Sequence, residues 1–295
     1  MPTLGLIGLG KMGGNMRTRM RDAGLEVIGY DRNPDVTDVA SLEELVEKLP
    51  SPKLIWVMVP AGEPTRSTIA ELKGLLSEGD VVVDGGNSKY TDDAANAASL
   101  AEKGIGFVDC GVSGGVWGLK NGYALMYGGA KDDAAKVMPF LEALKPDGTD
   151  DGLVHCGPTP GAGHFAKMVH NGIEYAMMQA YAEGWELLDK VDIVENVPEI
   201  FASWRTGTVV RSWLLDLLVD QLRADEHLSH IKGWAEDSGE GRWTVEAAIE
   251  NAVPMPAISA SLFARFVSRQ DDDYAMKAIS AMRNGFGGHA IQAES

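Results

Sequence analysis

The sequence predicts an α/β domain built on a doubly wound parallel sheet, followed by an all-α domain. Three observations carry that expectation. Short apolar runs alternate with helical segments through the first half of the 295 residues. Gly8, Gly10 and Gly13 stand in G-x-G-x-x-G spacing directly after the first apolar run. Beyond residue 160 the strand pattern gives way to helical apolar spacing.

The elements follow in order. Residues 3–8, 26–31, 53–60, 80–84, 106–110 and 124–128 read as strands, rich in Val, Ile, Leu and Tyr and bounded by Gly, Asp or Pro. Between them, 12–22, 41–48, 65–76, 91–103 and 132–143 carry apolar residues at helical spacing. Such alternation implies parallel strands joined by right-handed crossovers. The run KLIWVMV scarcely alternates, as a central strand buried on both faces requires. In the second half, 163–191 reads as one long helix, followed by 205–223, 244–251, 257–269 and 273–283. Pro158 and Pro160 among Gly157, Gly161 and Gly163 mark the break. The expected domains are therefore 1–160, an α/β domain, and 161–295, an all-helical domain.

Composition excludes several function classes. With 26 basic and 43 acidic residues the net charge is −17, which repels nucleic acid and anionic membranes at long range. The longest uninterrupted apolar run, residues 54–60, is far short of the ~20 residues of a membrane span. The opening MPTLGLIGLGKMG has neither a charged leader nor a small-residue cleavage site, so a cytoplasmic location is expected. Two cysteines, Cys110 and Cys156, show no zinc-ligand spacing and read as small buried residues after strand-like runs. The acidic run 271–273 reads as a solvated cap.

The glycine fingerprint has a physical reading. Gly8 permits a tight turn, Gly10 lets backbone approach a pyrophosphate, and Gly13 lets helix and strand pack closely. The helix N-terminus attracts the phosphate charge. Asp31 ends the second strand 23 residues after Gly8, placed to bind both ribose hydroxyls of an adenosine. This is the pattern of a Rossmann-type dinucleotide site. A carboxylate at Asp31 repels the 2′-phosphate of NADP, whereas Arg32 can pair with it or stack on adenine. NAD is the expected cofactor, with NADP tolerated at lower efficiency.

The reacting groups fall in GAGHFAKMVHNGIEYAMMQ. At about 100° per residue, Lys167, His170, Asn171 and Glu174 share one helix face. Lys167 and Glu174 are two turns apart, roughly 10.5 Å along the axis, too far for an i,i+4 pair but suited to the two ends of a small substrate. By spacing alone, a solvated polar stripe fits equally well. A lysine removed from water favours its neutral, basic form, and Glu174 could complement it as the acid. His164 and His170 are six positions apart, which is no helical metal pair, so no metal is expected.

GLIGLGKMG, DGGNS (84–88), GVSGG (111–115), GHFAKMVHNGIEY (163–175), GEGRWT (239–244), SLFARF (261–266) and MRNGFGGH (282–289) together resemble the 6-phosphogluconate dehydrogenases of the β-hydroxyacid dehydrogenase superfamily. The resemblance spans nearly the whole chain, and KMVHNGIEY is its most specific part. It implies oxidative decarboxylation of 6-phosphogluconate to ribulose 5-phosphate and carbon dioxide without a metal. Lys167 matches the general base, Glu174 the general acid, and Asn171 a further active-site group. Gly8, Gly10, Lys11, Met12, Gly13, Asp31, Arg32, Val59 and Asn87 match the cofactor side. Asn87, Ser113, Gly114, Gly115, His170 and Asn171 match residues on the sugar acid's carboxylate and hydroxyls. Tyr175, Arg265, Arg283 and His289 match groups around its phosphate. The last two usually reach the neighbouring subunit's site, which implies a homo-oligomer, dimer or tetramer.

Two departures stand out. The longer members carry NKGTGKW where this chain has DSGEGRW, placing Ser238 and Glu240 at a lysine and a threonine. A carboxylate beside a phosphate dianion is unfavourable, so Glu240 is expected to turn away or to pair with Arg242. The longer members also have about half as much chain again, with a duplicated helical segment that is single here. Two rival readings stay open: a 3-hydroxyisobutyrate or tartronate semialdehyde type of dehydrogenase, and a non-catalytic NAD-binding regulator.

Overall fold

A computed structural model of the chain describes residues 2–292. The chain divides into two compact units, Met1–His170 and Asn171–Ser295. Among the described residues no helix is long and apolar enough to cross a membrane.

The first unit is built on a seven-stranded sheet in the order β2-β1-β3-β4-β5-β6-β7. Its strands are β1 (Thr3–Ile7), β2 (Glu26–Tyr30), β3 (Leu54–Val57), β4 (Val81–Asp84), β5 (Gly106–Ser113), β6 (Ala124–Gly129) and β7 (Leu153–Gly157). The helices between them are α1 (Lys11–Asp22), α2 (Leu42–Lys48), α3 (Glu63–Leu75), α4 (Tyr90–Ala101), α5 (Gly118–Asn121) and α6 (Lys131–Leu144). Strand residues alternate between two cores, as the pleat dictates. Val81 and Val83 pack with Met16 and Met20 of α1 and with Phe140 and Leu141 of α6. Val82 faces the other way, with Leu45 of α2, Leu72 of α3 and Leu100 of α4. All of β3 is buried, as expected of a central strand.

One expectation is corrected. The sheet is not parallel throughout, because β5 and β6 run antiparallel, with Cys110 opposite Tyr127. The connection between them, residues 114–123, holds only a short helical turn and α5. A parallel return needs a crossover of a dozen or more residues. The turn begins at Gly114 and Gly115; the φ of 139° at Gly114 calls for glycine, and the 53° at Gly115 lies in the left-handed region that favours it.

Helix α7 (Ala162–Asp189) starts in the first unit, and its opening turn lies hard against β5 and β6. A Cβ on Gly163 would meet the Met126 carbonyl oxygen at 2.3 Å, and one on Gly111 would meet Lys167 Cβ at 2.2 Å. Cys110 is fully buried in the sheet, as read from the sequence, while Cys156 is half-buried.

The second unit is helical, with α8 (Val197–Ser203), α9 (Trp213–Ala224), α10 (Glu240–Glu250), α11 (Pro256–Ser268) and α12 (Tyr274–Gly287). Val197, Phe201, Leu215, Val219 and Leu222 form a core flanked by Tyr181 and Trp185 of α7. Sequence spacing missed the seven-residue α8. It also began α9 too early, because the helix starts only where Ser212 caps it by accepting from the Leu215 N–H. Asp273 caps α12 by accepting from Ala275 and Met276, so the acidic run is a cap as expected.

The crossing of α7 over the sheet yields a prediction. Gly163→Ala sets a Cβ against backbone that has no slack, and about 1–3 kcal/mol of stability is lost. Thermal denaturation reads this as a lower Tm. An unchanged Tm would show that the crossing is looser than described.

Candidate active site

A cleft of about 740 Å³ opens at the carboxyl ends of β1, β3 and β4. Gly8, Gly10, Lys11, Met12, Gly13, Asp31, Arg32, Val59 and Asn87, all the positions expected on the cofactor, line it. The glycines there do different things. Gly8 has φ 92°, and a Cβ on it would meet the Met58 carbonyl oxygen at 2.6 Å. A Cβ on Gly13 would meet the Gly8 carbonyl oxygen at 1.9 Å, so the start of α1 seats directly on β1. A Cβ on Gly10 would meet nothing within 4 Å, so this residue faces the open cleft. The residues fit a dinucleotide: a bare backbone at a helix N-terminus, with an acidic residue beyond it. Asp31 is braced by the N–H groups of Leu9 at 2.6 Å and Asn33 at 2.8 Å, both donating to its carboxylate.

At the far wall of the cleft stand Asn87 and Lys167. Lys167 Nζ donates to Asn87 Oδ1 at 2.6 Å. Asn87 sits on the loop after β4, where Asp84 accepts from the Gly86 N–H and the Ser88 hydroxyl at 3.0 and 2.7 Å. Val112, next to Ser113, also lines the cleft, and Gly114 and Gly115 form the turn beyond. His170 is exposed one turn along α7 from Lys167. Asn171 and Glu174 follow on the same helix, both half-buried.

Beneath Lys167 lies a layer of buried charge that the sequence did not reveal. Asp109, with no exposed surface, accepts from the N–H groups of Gly161 and His164, both at 2.8 Å, and so caps α7. His164 Nδ1 bonds Asp93 Oδ2 at 2.8 Å, and the two are 2% and 0% exposed. Burial pushes the Asp93 carboxyl up to about 7, against the pull of His164. Burial also opposes the charged imidazole, but the hydrogen bond and charge of Asp93, with Asp84 and Asp109, raise His164 to about 9. Ligand-type atoms of Asp84, Asp93 and His164 lie within 4.8 Å of one another, and all three are hydrogen-bonded within the protein.

In the second unit Tyr175 is buried, and its ring packs on α10, where a Cβ on Gly241 would approach it to 2.5 Å. The guanidinium of Arg265 lies 3.5 Å from the Tyr175 ring centroid, and its Nη1 donates to the Glu236 carbonyl at 2.8 Å. The Ser238 N–H donates to the Tyr175 hydroxyl at 3.1 Å. Of the two outcomes expected for Glu240, turning away or pairing with Arg242, the pairing is not found. Arg242 pairs with Asp237 at 3.1 Å, and Arg269 joins it at 3.0 Å. Burial works against ionised Asp237, yet these two arginines hold its carboxyl below the usual range. Glu240 is buried and accepts from Asn171 Nδ2 at 2.8 Å. Tyr175 and Arg265 are thus brought together, whereas Arg283 and His289 lie on and just after α12, exposed. Arg242 and Arg269 were missed as members of this cluster, although RW in GEGRWT was a legible signal for the first.

A glycine-lined cleft on a doubly wound sheet, closed by a lysine–asparagine pair, defines a dinucleotide-binding oxidoreductase of the Rossmann class. Residues 3–147 match the NAD-binding domain of 6-phosphogluconate dehydrogenase, and residues 163–293 match that enzyme's C-terminal domain. The chain belongs to the 6-phosphogluconate dehydrogenase family.

Among its relatives, the NAD(+)-dependent, decarboxylating 6-phosphogluconate dehydrogenase of Haloferax volcanii is 38% identical, with 98% of each chain covered. A Bacillus subtilis enzyme of the same name is 38% identical over 90% of this chain, which spans only 61% of it. The 6-phosphogluconate dehydrogenase of Plasmodium falciparum, solved with NADP+ and with 6-phosphogluconate, superposes with a TM-score of 0.83 at 26% identity. That match covers 99% of this chain and 66% of the other.

Two predictions come from the geometry. Gly10→Ala leaves Tm nearly unchanged but weakens NADH binding about tenfold, a loss of about 1.4 kcal/mol, as read by fluorescence titration. Tight binding by that variant would move the pyrophosphate away from Gly10. The second concerns pH. His164 is raised from 6.5 to about 9, so its contribution to stability is full below 6.5 and is lost as pH rises through about 9. Between those limits Tm falls more steeply in the wild type than in the variant that lacks both coupled groups, Asp93→Val with His164→Leu, and parallel slopes would contradict the assignment.

Proposed function

We propose that the chain oxidises and decarboxylates 6-phosphogluconate to ribulose 5-phosphate, reducing NAD. The observation that carries this reading is the 2.6 Å bond from Lys167 to Asn87 at the wall of the cleft that the fingerprint glycines line. NAD, held at Gly8, Gly10, Lys11, Met12, Gly13, Asp31, Arg32 and Val59, supplies the hydride acceptor for carbon 3. Neutral Lys167 takes the proton of the carbon 3 hydroxyl as the C–H bond breaks, and Asn87 fixes the lysine for that transfer. The ketone so formed is β to the carboxylate, so the C–C bond to carbon dioxide breaks with its electrons passing into an enediol. Protonated Lys167 then hydrogen-bonds the developing oxyanion, in the place a metal takes in other decarboxylases. Glu174 delivers a proton to carbon 1, and Asn171 holds the substrate beside it.

Ser113, Gly114, Gly115, His170 and Asn171 are assigned to the carboxylate and hydroxyls, and Tyr175 and Arg265 to the phosphate. Arg265 suits that task because, among the described residues, its charge is answered only by a carbonyl and a ring, whereas Arg242 and Arg269 share Asp237. Arg283 and His289 serve the same phosphate from the neighbouring subunit of a homo-oligomer. The reading takes 1–160 as the cofactor domain and 161–295 as the substrate and assembly domain, and it places the enzyme in the cytoplasm. Asp31 favours NAD over NADP, with NADP still accepted.

The test is absorbance of reduced nicotinamide with 6-phosphogluconate and each cofactor, with released carbon dioxide trapped. One carbon dioxide per NADH is expected, with kcat/KM higher for NAD. No reduction would move the assignment to a smaller 3-hydroxy acid. Lys167→Met abolishes turnover while NADH still binds, and Arg265→Ala raises KM for the phosphorylated substrate at least tenfold, about 1.4 kcal/mol. An unchanged KM would remove Arg265 from the phosphate.

A further inference from the structure

The buried charges under Lys167 are not used by the reaction just described, and they are an odd choice for stability. A buried ion pair generally does no better for the fold than apolar residues of the same volume. Here His164 Nε2 and Asp93 Oδ1 are in addition buried without a hydrogen-bond partner among the described residues. Burying such atoms costs stability and calls for another explanation.

Position in the fold supplies one. His164 is three residues before Lys167 on α7, and Asp93 is six residues after Asn87, in the first turn of α4. Their 2.8 Å bond therefore joins the two segments whose side chains meet in the Lys167–Asn87 bond. Other contacts run across the same seam. A Cβ on Gly161 would meet the Tyr90 carbonyl oxygen at 2.6 Å, and the rings of Tyr90 and Phe165 meet edge to face at 5.0 Å. Asp109 fixes the helix from below through the Gly161 and His164 N–H groups, and Asp84 ties down the loop that carries Asn87. Among these contacts only the His164–Asp93 bond is a directional side-chain link between α4 and α7, so it sets register where ring packing permits sliding.

We propose that His164 and Asp93 are positioning residues, a buried clamp that holds Lys167 Nζ against Asn87 at the geometry required for proton transfer. The inference rests on the reading of Lys167 as the base. Neither residue touches the reacting atoms. A displacement of about 1 Å in such a group can cost about a hundredfold in rate.

The experiment compares two variants with the wild type. Asp93→Val combined with His164→Leu replaces the clamp by apolar volume, which the fold tolerates. Its kcat is expected to fall about a hundredfold, with KM for 6-phosphogluconate and the Kd for NADH within about threefold of wild type. Asp93→Asn keeps an acceptor for the His164 N–H and is expected to recover most of the lost kcat. Acylation of Lys167 by an amine-reactive ester, followed by mass spectrometry without substrate, reports the lysine's setting independently of turnover. Its rate is expected to change several-fold in the double variant and little in Asp93→Asn. A folded double variant with kcat and labelling rate like the wild type would overturn the proposal. So would an Asp93→Asn enzyme no better than the double variant. Should the double variant not fold, the decision rests on His164→Gln against Asp93→Asn, by the same two readouts. Failure of the wild type to oxidise 6-phosphogluconate would instead refute the assigned reaction, while the labelling comparison still judges the clamp.

Discussion

The cap that Asp109 places on α7 is the interaction on which the site depends. Helix termini leave N–H groups without partners, and burying them unsatisfied is costly. A fully buried carboxylate at the middle of β5 receives two of them, from Gly161 and His164. Its negative charge also faces the positive end of the helix dipole. The direction in which α7 leaves the sheet is thereby set by a strand residue rather than by a loop. Gly111, Gly128 and Gly163 then permit the close approach, since a Cβ on any of them would come within 2.5 Å of a neighbour. Lys167, one turn into the helix, consequently arrives beside Asn87 at the carboxyl edge of the sheet.

The same edge organises the cofactor half. Parallel strands deliver their carboxyl ends to one side, and the cleft forms where β1, β3 and β4 end. Gly8 and Gly13 are packing glycines, whereas Gly10 leaves open space. A dinucleotide bound along that backbone would run from Asp31 toward the Asn87–Lys167 wall of the same groove. The second unit contributes a different kind of order. Two of its arginines share the single carboxylate of Asp237, and the guanidinium carbon of Arg265 lies 3.5 Å from the Tyr175 ring centroid.

Much of this was legible in the amino-acid order because it is local. The fingerprint, Asp31 and the apolar runs of the strands are short-range signals, and each fell where expected. The long α7 and its polar face were equally readable from 3.6-residue periodicity. The direction of β6 was not, because it depends on the length of one connection rather than on the strand itself. Nor was α8, which is too short to show a period. The partners of Glu240 and His164 were hidden for a further reason. Asn171 lies 69 positions from Glu240, and Asp93 lies 71 from His164. In the sequence Asp93 reads as one more acidic residue in the first turn of a helix, where solvent exposure is the ordinary outcome. Only the packing of α4 against the start of α7 reveals that it is buried.

In the proposed reaction Lys167, held by Asn87, meets the hydroxyl on carbon 3 of a phosphorylated sugar acid. The most direct measurement is a crystal structure of the protein with reduced cofactor and 6-phosphogluconate. The carbon 3 oxygen is expected within hydrogen-bonding distance of Lys167 Nζ, with Asn87 still in contact and the phosphate on Arg265. A sugar acid whose carbon 3 hydroxyl contacts some other base, out of reach of Lys167 Nζ, would contradict it.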